Sequence, residues 1–167
     1  MAGRVKKNSV PPQDFTPALA LADALPVLFF VASMILLAGR FSSALFCLGA
    51  AVIVLASCGK VLWKLLLGFR KKNVPWLNRY FIPCQISGFL LIVLALVWNF
   101  RSIPWAGLPG VLTRFPSGLF LLLWCCGMGG MSWYRRNRFD NSLHANWTAQ
   151  CINTAAQACL LLGLLFL

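Results

Sequence analysis

The chain has 167 residues and a net charge of +12, and 60% of its residues are hydrophobic while only 11% are charged. A soluble domain is typically about 45–50% apolar and about 25% charged, so this composition excludes an ordinary soluble domain, whose single small core could not hide so much apolar surface. The basic residues lie in short clusters between long apolar runs, which favours contact with a membrane surface over binding of nucleic acid.

The chain begins with a polar, basic segment and continues with five apolar runs. Residues 1–16 predict a flexible arm, and residues 17–167 predict a single transmembrane domain. The apolar runs cover about 17–39, 42–68, 82–100, 116–134 and 147–167. A helix needs ~20 apolar residues to cross ~30 Å of hydrocarbon, and helices satisfy their own backbone groups in lipid. We therefore predict an all-α integral membrane protein, a bundle of about five transmembrane helices, whose fifth helix is the least apolar.

The basic residues predict the orientation of this bundle. With five spans, the N-terminus and the loops near 69–81 and 135–146 share one side of the membrane. That side holds ten basic residues, namely Arg4, Lys6, Lys7, Arg70, Lys71, Lys72, Arg79, Arg135, Arg136 and Arg138. The opposite loops hold three, Arg40, Arg101 and Arg114. Basic loops stay in the cytoplasm, so we predict a cytoplasmic N-terminus and a C-terminus on the opposite side.

Two of the basic loops carry the clusters that we expect to contact lipid. A basic residue near an anionic membrane surface contributes about 1 kcal/mol of attraction. We therefore expect membrane lipids with anionic headgroups as partners on the cytoplasmic side. The residues expected to bind these headgroups are Arg70, Lys71, Lys72, Arg135, Arg136 and Arg138.

Two ionisable residues lie inside the predicted spans. An ionisable group in a membrane helix is costly and suggests a functional site. Asp23 lies about two turns into the first span, and Lys60 lies about two turns before the end of the second. The connection between these spans is short, so we expect an antiparallel hairpin in which Asp23 and Lys60 pair at equal depth. The alternatives are a purely structural pair, or Lys60 and Lys64 side chains that snorkel to the membrane surface.

Polar side chains in other spans lie at the same depth. Gln150, Asn153 and Gln157 are spaced three and four apart, so they form one stripe on a helix. Gln85 lies near the cytoplasmic start of the third span. Together these residues predict a polar pocket open to the cytoplasm, with ligand-binding residues Asp23, Lys60, Gln85, Gln150, Asn153 and Gln157. The alternative is that the stripe joins helices, or two copies of the chain, by hydrogen bonds.

Other chemistry-bearing residues give weaker signals. Asp140 and His144 are four apart and would share a helix face, so they are either an acid–base pair or part of an ordinary loop. The seven cysteines are scattered without metal-ligand spacing and the chain has one histidine, so we predict no metal site and no cofactor. Residues 102–116 contain three prolines and two glycines and predict a re-entrant or interfacial element.

Three functions are compatible with these features. The first is a small transporter, or the membrane subunit of a transport complex, with a cytoplasm-facing polar pocket. The second is a membrane-embedded enzyme acting on a lipid or quinone-like substrate through Asp23, Asp140 or His144, although so few acid–base groups argue against it. The third is a structural or assembly partner, in a homo-oligomer or a larger membrane complex. We favour the first.

Overall fold

A computed structural model of the chain describes residues 16–41, 43–103, 107–137 and 142–167. Within these residues the chain is helical and contains no strand, which confirms the predicted all-α bundle. A 3₁₀ turn follows the fourth helix at Phe100–Ser102. The α-helices are α1 (Pro17–Phe41), α2 (Ala44–Arg70), α3 (Pro75–Arg79), α4 (Phe81–Trp98), α5 (Leu108–Thr113), α6 (Ser117–Asn137) and α7 (Leu143–Leu165). Of the predicted N-terminal arm, only Thr16 is among the described residues.

The ends of the long helices follow from local sequence. Hydroxyl side chains accept a hydrogen bond from a first-turn N–H at the start of three of them, which satisfies a backbone donor that has no partner within the helix. These residues are Thr16 before α1, Ser43 before α2 and Ser142 before α7. At the other end of α2, Lys71 adopts a left-handed conformation with φ of 51°, and the chain leaves the helix there.

The five long helices form a curved row. Their order in space is α4, α2, α1, α7 and α6, because α4 packs on α2, α1 packs on both α2 and α7, and α7 packs on α6. The predicted hairpin of α1 and α2 is therefore confirmed. The first helix of the chain occupies the centre of the row, and α4 and α6 occupy its two ends.

Small residues let neighbouring helices in this row approach closely. A Cβ added at Gly88 of α4 would lie only 2.8 Å from the carbonyl oxygen of Gly49 in α2. A Cβ added at Gly127 of α6 would lie equally close, 2.8 Å, to the Cβ of Ala156 in α7. Close backbone approach at small residues is typical of helix packing in membranes. It supplies van der Waals contact where lipid removes the hydrophobic drive for helix association.

The outer surface of the bundle suits a membrane. Large apolar side chains are exposed along the helices, including Leu28, Ile35, Leu55 and Val97. A soluble protein rarely exposes so continuous an apolar surface. Among the described residues, four segments are long and apolar enough to cross a membrane, namely α1, α2, the stretch Pro75–Trp98 and α7. These are the dimensions of a multi-pass membrane protein.

We expected the fifth predicted span to be less apolar than the fourth, and the structure shows the opposite. The helix α7, expected to be the weaker span, meets the length and composition of a membrane span, whereas α6 is not among the four that do. The reason is composition, since α6 ends in Trp133, Tyr134, Arg135 and Arg136 after several glycines. On α7 the polar stripe is followed by a run of apolar residues in the last two turns of the helix, and this run raises the mean hydropathy.

The connection after α4 has short helical elements of its own. The predicted re-entrant or interfacial segment at 102–116 contains α5, which packs against α6. Residues 104–106 of this segment lie outside the described residues. Whether the segment enters the membrane remains an expectation.

Candidate functional site

A cavity of about 390 Å³ lies on the concave side of the curved row and is lined by all five long helices. It occupies the end of the bundle where α1 and α7 begin and where α2 and α6 end. All six residues predicted to bind a ligand line it. The complete lining is Asp23, Pro26, Val27, Phe30, Ser57, Lys60, Val61, Lys64, Phe81, Gln85, Met128, Arg135, Gln150, Asn153 and Gln157.

The carboxylate in this cavity has a different partner from the one predicted. The Nζ atom of Lys64 lies 2.6 Å from Oδ2 of Asp23, and the two side chains are only 15% and 10% exposed. The predicted pairing of Asp23 with Lys60 is therefore wrong by one helical turn. Both lysines face the cavity because they are four residues apart on α2. The crossing angle and the register of α1 on α2 bring Lys64, and not Lys60, to the carboxylate of Asp23.

Lys60 makes a different contact. Its ammonium group lies 3.9 Å from the centroid of the Phe81 ring, a cation–π geometry between α2 and α4. The cavity lining thus contains three cationic side chains, those of Lys60, Lys64 and Arg135, and one carboxylate, that of Asp23. Three positive charges minus one negative charge leave a net charge of +2 on the lining. The cavity is therefore electropositive.

Amide and hydroxyl groups form a second feature of the lining. Gln85 donates a hydrogen bond of 2.8 Å from Nε2 to Oγ of Ser57, which in turn donates to the carbonyl oxygen of Ile53 at 2.8 Å. This relay joins α4 to α2 at the base of the cavity. The predicted polar residue of the third span is thus anchored by a serine that we had not singled out.

Two amide side chains on α7 are buried without full hydrogen bonding. Gln150 and Gln157 are 7% and 8% exposed, and within the described residues the Oε1 atom of each has no hydrogen-bond partner. Among the described residues, the Nε2 atom of Gln157 donates to the thioether sulfur of Met128 at 3.6 Å, and this sulfur is a weak acceptor. Buried polar atoms are nearly always paired in native proteins. Each of these oxygens therefore keeps the capacity to accept one more hydrogen bond.

The rest of the lining is apolar and includes a proline within α1. Pro26 has no backbone N–H, so it removes the hydrogen bond to the carbonyl of residue 22 and loosens the helix one turn after Asp23. Val27 and Phe30 continue the apolar wall along α1 toward the middle of the bundle. The cavity thus combines charged side chains near the bundle end with apolar and amide side chains deeper in the bundle, a mixture that is usual in ligand sites.

The cavity has an opening between the two ends of the row. Both α4 and α6 contribute to its lining, yet the described backbones of these two helices make no contact with each other. Each end helix packs on one long neighbour only, α4 on α2 and α6 on α7. The wall of the cavity is therefore incomplete on the side opposite α1.

The remaining predicted residues lie elsewhere. Among the residues expected at lipid headgroups, Arg135 is exposed and also lines the cavity, which the sequence did not reveal. Arg138 and Asp140 lie outside the described residues, so their roles stay predictions. His144 is exposed in the first turn of α7 and is not part of the lining. The other expected headgroup residues are exposed, namely Arg70, Lys71, Lys72 and Arg136.

The cavity has no metal-binding character in the part of the chain that the structure describes. No group of three or more His, Cys, Asp or Glu side chains is close enough there to hold a metal ion. None of the seven cysteines is in the lining, and all seven are free thiols. The available chemistry is that of ammonium, guanidinium, carboxylate and amide groups, which bind and orient a polar ligand. The chain matches no protein family, no curated protein and no solved structure.

Proposed function

We propose that this protein is a small membrane transporter, or the membrane subunit of a transport complex, and that its ligand occupies the five-helix cavity. One observation carries the proposal. An ion pair, an additional lysine and two buried amides with unpaired oxygens surround a single space of about 390 Å³. That volume lies within the range of small-molecule sites, roughly 300–1,000 Å³.

The energetic argument concerns the cost of these groups. A charged side chain at the centre of a membrane helix costs about 3 kcal/mol on insertion scales, and an unpaired buried acceptor costs about 1–3 kcal/mol. A bundle that needed only mechanical stability would replace Gln150 and Gln157 by apolar residues or pair them completely. Polar groups retained at that cost support a binding role.

The orientation of the cavity follows from the basic residues around it. The end of the bundle that holds the cavity also carries Arg70, Lys71, Lys72, Arg79, Arg135 and Arg136, while Arg40, Arg101 and Arg114 lie at the other end. By the positive-inside rule, this distribution supports a cavity on the cytoplasmic side, with the N-terminus in the cytoplasm. In this orientation the protein takes up or releases its ligand at the cytoplasmic face.

A second candidate is an assembly role, favoured by the unpartnered flanks of the two end helices. A Cβ added at Gly129 or Gly130 of α6 would meet nothing within 4 Å, so this small-residue face is open to another helix. Copurification of a stoichiometric partner, or a stable homo-oligomer in mild detergent, would favour this role. The enzyme hypothesis has less support, because Asp23 is engaged by Lys64 and His144 is not part of the cavity lining.

Cysteine accessibility tests the transport proposal directly. The seven native cysteines are outside the cavity lining, so a cysteine-free background leaves that lining unchanged. In this background, Asn153→Cys introduces one thiol into the cavity. Leu55→Cys is the matched control, since Leu55 is 71% exposed on the apolar outer surface. Intact cells and inverted vesicles are treated with a membrane-impermeant thiol reagent.

Transport predicts that Asn153→Cys reacts from the cytoplasmic side and, in a fraction of molecules, from the opposite side. Leu55→Cys should remain unreactive from both sides because lipid excludes the reagent. Labelling of Asn153→Cys from the cytoplasmic side alone would refute transport and leave a one-sided binding site. A lack of reaction from either side would refute the water-accessible cavity itself.

A further inference from the structure

We propose that the cavity binds a phosphate ester that also carries hydroxyl groups, with Lys60 and Arg135 on the anionic phosphate and the amides of α7 on the hydroxyls. The inference rests on the proposed ligand-binding cavity and names the chemical class of its ligand. A phospholipid headgroup and a free sugar-like phosphate share this chemistry.

The first argument is the uncompensated charge. Lys64 forms an ion pair with Asp23 at 2.6 Å, so the pair has almost no net charge with which to attract an anionic ligand. Lys60 has no carboxylate partner in the described part of the chain, and its ammonium group rests on the Phe81 ring. A ring face leaves the N–H donors of the ammonium group available on the side away from the ring. Together with Arg135, Lys60 leaves two positive charges for an anion.

The second argument concerns the shape of the cationic groups. The guanidinium of Arg135 presents a fork of N–H donors that matches the oxygens of a phosphate, while Lys60 acts as a point charge. Arg135 is exposed at the end of α6, and Lys60 is half-buried on α2. An anion between them would therefore contact α6 through Arg135 and α2 through Lys60.

The third argument comes from the buried amides. The Oε1 atoms of Gln150 and Gln157 accept hydrogen bonds and do not donate them, so an anion without hydroxyl groups leaves them unsatisfied. Both side chains are more than nine-tenths buried, and both line the cavity. A ligand that supplies hydroxyl donors next to its phosphate satisfies both acceptors. The carbon-bound hydroxyls of a phosphate ester lie farther from the phosphorus than the P–OH groups of inorganic phosphate, so they can reach the amides while the phosphate stays on Lys60 and Arg135.

The incomplete wall between α4 and α6 favours a lipid as the source of this headgroup. These helices expose apolar residues to the outer surface, including Phe89 of α4 and Leu122 of α6, and they make no mutual backbone contact. A headgroup can enter sideways through this opening while its acyl chains stay in the bilayer. The charged residues lie near the end of the bundle, which is the depth of headgroups.

The test compares lipids and soluble phosphates on the purified full-length protein. Four probes are added separately: phosphatidylglycerol, phosphatidylcholine with the same acyl chains, glycerol 3-phosphate and inorganic phosphate. Binding is measured by native mass spectrometry for the lipids and by the thermal unfolding midpoint for the soluble probes. Phosphatidylglycerol carries a net negative charge and free hydroxyls, whereas phosphatidylcholine has neither, so we expect about tenfold tighter binding of phosphatidylglycerol.

Variants locate the binding in the cavity. Lys60→Met and Arg135→Gln should each weaken phosphatidylglycerol binding about tenfold, the value of one charge-assisted hydrogen bond. Arg79→Gln is the matched control, because Arg79 is exposed at the same end of the bundle but is not in the lining. Arg135→Gln keeps the test valid if Lys60→Met fails to fold, because the Arg135 side chain is exposed.

Each outcome decides a point. Tight, Arg135-dependent binding of phosphatidylglycerol supports a lipid source, and the same dependence with glycerol 3-phosphate alone supports a soluble source. Equal binding of phosphatidylglycerol and phosphatidylcholine without binding of glycerol 3-phosphate overturns the inference, as does an Arg79→Gln effect equal to that of Arg135→Gln. A cavity that labels at Asn153→Cys but binds none of the four probes retains the proposed function and refutes the ligand class.

Discussion

Removing either partner of the buried ion pair should destabilise the protein, and removing both should restore much of the loss. The side chains of Asp23 and Lys64 are only 10% and 15% exposed, at an N–O distance of 2.6 Å. Breaking a buried pair on one side costs about 3–5 kcal/mol, because the remaining charge stays buried without its partner. The pair borders a cavity that water can enter, so we expect the lower value, about 3 kcal/mol.

The two single substitutions should differ. Lys64→Met leaves Asp23 with Lys60 one turn away on the same helix face, and Lys60 can leave the Phe81 ring to compensate the carboxylate. Asp23→Asn removes the one carboxylate of the cavity lining, so the three cationic side chains there repel one another without compensation, and we expect the larger loss from Asp23→Asn. On the scale of soluble chains of this length, about 3 kcal/mol lowers the unfolding midpoint by roughly 6–12 °C.

A double-mutant cycle measures this coupling. Thermal unfolding in detergent is followed for wild type, Asp23→Asn, Lys64→Met and the double variant. We expect a coupling energy of about 2–3 kcal/mol, since direct ionic contacts reach that range. Lys60→Met is the control and should change the midpoint little, because it removes a cation that has no carboxylate partner. Single variants as stable as wild type, or losses that simply add in the double variant, would refute the importance of the pair.

Further predictions concern packing, topology and the membrane surface. Gly88→Ala should destabilise by about 1–3 kcal/mol, because its Cβ would lie 2.6 Å from Ile53 Cγ1; Gly129→Ala, with open space around it, should be neutral or stabilising by up to about 1 kcal/mol in the same unfolding assay. Reporter fusions at residue 75 and at the C-terminus should report opposite sides of the membrane, and two cytoplasmic reporters would contradict the fifth span. Neutralising the exposed loop residues Arg70, Lys71 and Lys72 should weaken the preference of the reconstituted protein for anionic over zwitterionic lipids by about 1 kcal/mol per residue, and by less at high salt. Tight nucleic-acid binding by the purified protein would contradict this expectation.

The grouping of the polar residues was predictable, because it depends on depth along helices of known direction. Asp23 near the start of one span and Lys60 near the end of the next fall at one level in any antiparallel hairpin. The spacing of Gln150, Asn153 and Gln157 puts them on one helix face, and all three line the cavity. Periodicity and span order therefore carried most of the candidate site.

The sequence could not decide which of two lysines, one helical turn apart, pairs with Asp23. Lys60 and Lys64 share a face of α2, and their levels differ by about 6 Å along the helix. The helix crossing angle and the register of α1 on α2 decide between them, and neither is encoded in hydropathy. A side chain as long as lysine also reaches across a full turn, so depth alone could not exclude Lys64.

The order of the helices in space was also beyond the sequence pattern. Chain order suggests that α1 packs beside α2, but the contact of α1 with α7 joins segments more than 100 residues apart. That contact brings the stripe of α7 to the ion pair and Arg135 of α6 to the same cavity. A basic residue at a helix end predicts a contact with lipid headgroups. The cavity contact of Arg135 could not be predicted in this way, because it depends on the curvature of the helix row.

A structure determined by electron cryomicroscopy in phosphatidylglycerol nanodiscs would test the central claim most directly. The claim is that the electropositive cavity of the five-helix row holds an anionic ligand. It predicts density for a phosphate in contact with Lys60 and Arg135, continuous with hydroxyl-bearing density at Gln150 and Gln157. A cavity without such density, with the Gln150 and Gln157 oxygens paired to protein groups, would contradict it.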